Sequence, residues 1–282
     1  MNSQPFIEVL SRHAQDFSPV VAFDQTKERL LLFDFTEKNQ EISSQILDDT
    51  KKFTGHINQK LKAAGAKFGI GGYNERREVY SRSKLFNKAP SNSPEGGEAN
   101  TQPLLIQNAS NKNEFVTSEA SAQMAFPNGE GRDGAESRRI HLGIDIWGKP
   151  YTAVMAPLDG IVHSFAFNNN FGDYGATLIL THNLDGFSFH TLYGHLSLNS
   201  IKNFREGGNV KKGEVIAEFG IPFENGQWPP HLHFQVIIDL EVPIAIGRKG
   251  DYPGVCAESE REKYLANCPD PDLILQMMKF AE

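Results

Sequence analysis

Seven of the nine histidines fall between residues 141 and 233, and three short patterns there place groups with metal chemistry close together. His141-Leu-Gly-Ile-Asp145 sets an imidazole and a carboxylate four residues apart, on one face where the chain is extended. His231-Leu-His233 puts two rings on one face of a strand, with Leu232 behind. His190-Thr-Leu-Tyr-Gly-His195 ends an apolar run, and Gly194 permits a bend that aims His195 back at the sheet. Two imidazoles and one carboxylate with an open fourth position make a catalytic zinc set, whereas a structural site is usually closed by four ligands. A zinc-bound water is acidic enough for a neighbouring neutral imidazole to accept its proton, and a protonated imidazole stabilises an oxyanion. Each pattern alone is common. Their succession on one β-rich segment is what points to a metal site.

The elements that must position these residues begin at Arg138. Short runs rich in Val, Ile, Phe and Thr cover 151–156, 160–167, 175–181, 187–193, 214–219 and 231–238, separated by Gly, Asn, Asp and Pro. Six short strands with tight turns, and no helix long enough to cross between them, predict an antiparallel sheet or sandwich.

Upstream, Phe6–Leu10 reads as a short helix. Val20–Phe23 and Leu30–Phe35 read as a strand pair joined by the polar turn 24–29. Ile42, Ile46, Leu47, Phe53, Ile57 and Leu61 fall at helical spacing, with Gly65 as a stop. Residues 67–87 read as a loop leading into a strand. Residues 88–137, rich in Ser, Asn, Gly, Glu, Ala and Pro, read as a low-complexity, disordered insertion. The tail predicts helices over 258–266 and 271–280. The expected organisation is a mixed α/β N-terminal lobe (1–87), the insertion (88–137), a core (138–240) and a C-terminal extension (241–282).

Composition excludes some classes. A net charge of -7 without a Lys/Arg stripe argues against nucleic-acid binding, and equally against attraction to anionic lipid. No run of about 18 apolar residues predicts a transmembrane helix. The N-terminus lacks the basic and apolar regions of a secretory signal, which sets a cytoplasmic expectation. Cys256 and Cys268 do not have the spacing of a zinc ribbon and read as reduced, partly buried thiols.

His141-Leu-Gly-Ile-Asp145, Thr191-Leu-Tyr-Gly-His-Leu-Ser197 and His231-Leu-His-Phe234, in this order and at these separations, resemble the lysostaphin-type (LytM-like) zinc metallopeptidases. Ala156-Pro-Leu-Asp-Gly160, Asn169–Gly175 and Val210–Ile216 resemble turns of the same core. The resemblance covers about residues 138–240. It implies an α+β chain whose catalytic core is mainly antiparallel β with a groove across one sheet. It further implies His141, Asp145 and His233 as ligands of one zinc ion per chain, and His195 and His231 as the catalytic histidines. Many members of that family cut peptide cross-links of peptidoglycan, so a peptide or peptidoglycan-derived substrate is expected. A zinc-bearing, non-hydrolytic module of the same fold is the alternative, and a β module whose histidines only bind a ligand is a third class.

Departures from the family pattern carry expectations too. Trp228-Pro-Pro230 stands where Gly-Pro is frequent, placing a Trp on the cleft rim. Gln235 stands where Glu is frequent. Gly71–Arg77 occupies the place of a Gly-rich loop, in which Asn74 is a candidate to cap an empty zinc site.

Overall fold

The computed structural model describes residues 3–87, 136–241 and 249–282. The segment read as an insertion lies outside the described residues over 88–135. Helix α1 spans Gln4–Arg12 and strand β1 spans Arg29–Phe33. Helices α2 (Ser44–Leu47) and α3 (Thr50–Ala64) lead to β2 (Ala66–Gly71). The β-rich part holds β3 (Ile140–His141), β4 (Ile144–Trp147), β5 (Ala153–Met155), β6 (Gly160–Asn168), β7 (Gly175–Leu184) and β8 (Phe187–Leu196). After α4 (Leu198–Ile201) come β9 (Asn209–Val210), β10 (Val215–Glu218), β11 (His231–Ile237) and β12 (Val255–Cys256). The tail forms α5 (Arg261–Asn267) and α6 (Asp272–Leu275).

Eight strands make one sheet in the order β1-β2-β4-β11-β8-β7-β6-β9, antiparallel at every pairing except β1 with β2. The chain is therefore α+β, with a large, mostly antiparallel β sheet as its core. All six strands expected after residue 150 are present.

Three local expectations upstream are corrected. Residues 20–23 are not a strand, and β1 pairs in parallel with β2 instead of with them. Helix α3 makes this possible. It buries Phe53, Ile57 and Leu61 and returns the chain so that β2 lies beside β1. The single helix expected over 42–61 is two, because Asp49 starts a new one: its carboxylate accepts from the backbone N–H groups of Lys51 and Lys52. Gly65, at φ 61°, ends it as expected. Finally, residues 67–87 run strand first and loop second, ending in two 3₁₀ turns over Glu78–Arg82 and Lys84–Asn87.

The sheet is covered on both faces. Along β11, Leu232, Phe234 and Val236 enter the main core with Phe6, Leu10, Ile70 and Tyr193. The alternating residues His231, His233 and Gln235 face the other way and are buried as well. Cys256 and Cys268 are free, buried thiols. Among the described residues no helix is long and apolar enough to cross a membrane.

Candidate metal centre

The site is assembled at the middle of the sheet by register. Across β4 and β11, Asp145 stands opposite His233 and Trp147 opposite His231. Across β11 and β8, His233 stands opposite Gly194. Between β3 and β4 the chain bends at Leu142-Gly143, which brings His141 to the same point. Gly143 has a further role: a Cβ there would lie 2.6 Å from His233 Nε2 and 2.8 Å from the Phe234 carbonyl oxygen. Only glycine leaves space for the His233 ring. Gly194 likewise leaves space for Tyr174, whose Cδ1 would be 2.5 Å from a Cβ. The expected bend beside it is taken by His195 itself, at φ 61°, a left-handed conformation held by hydrogen bonds to the Tyr174 carbonyl and the Gly220 N–H.

His141, Asp145 and His233 are the one grouping of potential metal ligands among the described residues. His141 Nε2 lies 3.0 Å from His233 Nδ1 and 3.3 Å from Asp145 Oδ1, and His233 Nδ1 lies 3.2 Å from Asp145 Oδ1. The partners of the outer ring nitrogens decide what these inner atoms are. His141 Nδ1 donates to the Gly72 carbonyl at 3.1 Å, so its Nε2 presents a lone pair. His233 Nε2 donates to Gln235 Oε1 at 3.0 Å, so its Nδ1 does the same. Gln235 is held in that orientation by donating to the Pro253 carbonyl and to Cys268 Sγ. Two imidazole lone pairs and a carboxylate oxygen thus converge with no proton to share. Donor atoms about 2.0–2.2 Å from a tetrahedral metal ion are about 3.3 Å apart, and the triangle fits that spacing.

The electrostatics agree with a cation site. Burial, with the charge of Arg77 next, pushes His141 down to about 4. Burial opposes ionisation of Asp145, but the adjacent Arg77 guanidinium holds its carboxyl well below the usual range. Arg77 Nη1 donates to Asp145 Oδ2 at 2.5 Å.

His231 and His195 stand beside the triangle. His231 Nδ1 donates to the Pro229 carbonyl at 2.7 Å, which leaves Nε2 as an acceptor 3.9 Å from Asp145 Oδ1. His195 Nδ1 donates to the Asn225 carbonyl at 2.8 Å, and its ring centroid is 4.1 Å from that of His231. Burial pushes His231 down to about 4 and His195 well below its usual range, so both are neutral bases at pH 7. Four aromatic rings wall the cluster: Trp147 on His231, Tyr174 against His233, Tyr80 against His141, and Trp228 against His195. None of the five histidine and aspartate side chains belongs to a residue more than 6% exposed.

The sequence brings all five expected residues together. Trp228 is corrected from rim to wall: it is 4% exposed and donates to the Asp173 carbonyl. Asn74 does not cap the site, because its side-chain oxygen accepts from Arg261 Nε at 2.7 Å. His190 bonds to Thr181 outside the cluster, and Tyr193 packs in the core, accepting from Thr191. Sequence reasoning did not find Arg77, whose only signal was its place in the Gly71–Arg77 segment, or the carbonyl acceptors of Gly72, Asn225 and Pro229, which no side-chain pattern reveals.

Residues 139–244 match the family model described as Peptidase family M23. An uncharacterized metalloprotease of Haemophilus influenzae is 32% identical over 141 residues, 49% of this chain and 27% of that protein. This chain therefore spans about a quarter of the length of the curated relative it matches. A zinc-containing peptidase from Vibrio cholerae is 28% identical, over 37% of this chain and 29% of that one, with a TM-score of 0.29. The catalytic domain of the antimicrobial peptidase lysostaphin from Staphylococcus simulans is 24% identical, over 43% and 77%, with a TM-score of 0.31. The His-Asp-His triangle lies inside the segment that matches peptidase family M23, so residues 139–244 are similar to a LytM-like metallopeptidase domain.

Proposed function

We propose that this chain is a zinc-dependent peptidase that hydrolyses a peptide amide, with His141, Asp145 and His233 holding one zinc ion. The observation that carries the reading is the triangle of three lone-pair donors 3.0–3.3 Å apart, each oriented by a partner on its far side. When bound, zinc supplies Lewis-acid activation of water and of the scissile carbonyl. The chain's own residues supply proton handling. His231, its Nε2 3.9 Å from Asp145 Oδ1, accepts the proton of the attacking water and returns it to the departing amine. His195, ring against ring with His231, donates to the developing oxyanion once protonated and otherwise completes the polar wall. The peptide substrate we favour is a peptidoglycan cross-link, the substrate class of many proteins this segment resembles.

Metal analysis of the purified chain beside His233→Ala tests the site. About one zinc per chain, lost in the variant, is expected. Turnover of peptidoglycan fragments against unrelated small amides then tests the substrate, and cleavage of the amides alone would reject the cell-wall reading.

The burial of all five residues favours one second reading, a zinc-bearing module that does not turn over peptides. Zinc at full occupancy with no hydrolysis of any peptide offered would select it.

A further inference from the structure

Arg77 is fully buried, lies outside the segment that matches the family model, and grips the metal triangle from behind. Its Nη1 donates to Asp145 Oδ2 at 2.5 Å, while the other oxygen of that carboxylate, Oδ1, faces His141 and His233. Its Nη2 donates to the Gly72 carbonyl at 3.1 Å, the same oxygen that accepts from His141 Nδ1. Its Nε donates to Glu75 Oε2 at 2.6 Å. One guanidinium fork therefore orients one candidate ligand, Asp145, directly and shares the carbonyl that orients a second, His141. Close approach is built in, since a Cβ at Gly71 would lie 2.6 Å from Arg77 Nη2. Gly71 in turn is paired with Asp145 across β2 and β4.

We infer that Arg77 is a positioning residue for the metal centre. It occupies Asp145 Oδ2, so that Asp145 would offer a single oxygen, Oδ1, to a bound cation. Glu75 neutralises Arg77, so that the negative charge of Asp145 remains available to the metal. The residues before the matched segment thus complete the metal centre as well as extending the sheet. This rests on the zinc reading above.

The test measures zinc affinity of the full chain by competition with a chromophoric chelator, together with the d–d spectrum of the cobalt(II)-substituted protein. Partners behind metal ligands are worth about 10- to 100-fold in affinity, and Arg77→Met is expected to lose that much. Its cobalt spectrum weakens as Asp145 binds through both oxygens and coordination rises to five. Arg77→Lys, a point charge without the fork, falls between wild type and Arg77→Met. Glu75→Gln, at a side chain 16% exposed, leaves the guanidinium charge uncompensated and weakens zinc binding without unfolding the chain. If Arg77→Met does not fold, the lysine and glutamine variants decide. A wild-type chain without zinc would overturn the metal-centre reading itself. Zinc bound by wild type, Arg77→Lys and Glu75→Gln with equal affinity and one cobalt spectrum would overturn only the role of Arg77.

Discussion

Trp147 stacks on His231 with ring centroids 4.0 Å apart and planes 15° from parallel, and the two residues are also direct partners across β4 and β11. The indole is a flat floor for the imidazole. With the Pro229 carbonyl holding Nδ1, it fixes both the plane and the rotation of the ring. Trp147→Phe keeps a floor and is expected to retain most turnover, whereas Trp147→Ala lowers kcat more than it raises KM. The alanine variant also leaves a cavity, costing about 3–5 kcal/mol, which urea unfolding measures separately.

On the proposed mechanism, His231→Ala and His195→Ala remove bases that stand beside the metal ligands without being among them. Both are expected to keep zinc at the wild-type level while turnover falls roughly 100- to 10,000-fold, the range for a lost general acid or base. Metal analysis and steady-state kinetics on one preparation check this. A fully active His231→Ala protein would reject the proposed proton route.

Gly143→Ala is the sharpest test of site geometry by packing alone. The added methyl meets the His233 ring and the Phe234 carbonyl, a rigid backbone atom. Overpacking of this kind costs about 1–3 kcal/mol, and here it would displace a proposed ligand. Zinc content is expected to fall while the far-UV spectrum stays native. Chelation of the wild type is expected to lower its Tm, because a metal that binds only the folded chain stabilises it.

His182 and His190 give a pH dependence outside the candidate metal centre. Burial pushes both from 6.5 to about 4. Between these values the unfolded chain binds more protons than the folded one, so stability is complete above about 6.5 and is lost as the pH falls towards 4. His182 sits between the Asp159 carbonyl and the Thr191 hydroxyl. Its replacement by Gln is expected to flatten the Tm-against-pH curve over that window, and an unchanged slope would reject the assignment.

Much of the site was legible because strand periodicity is local. His231 and His233 share a face by spacing alone, and the alternation of β11 announces which face is core. Helix α3 was legible too, from its apolar spacing and Gly65. The β1–β2 pairing was not, because a parallel partner 38 residues downstream (Leu30 with Phe68 and the pairs after it, across α3) leaves no local mark.

The sequence by itself determined the candidate ligand types, their order and the β-rich frame that carries them, since side-chain chemistry and alternation are written in the residues. Tertiary structure alone decided which nitrogen of His141, His195 and His231 faces inward, because that depends on carbonyls of Gly72, Asn225 and Pro229 whose positions follow from backbone paths. It also decided that Gly143 serves His233 across the sheet, and that Arg77 stands behind Asp145. Both are contacts between residues 68 or more positions apart, and only the packed chain makes them neighbours.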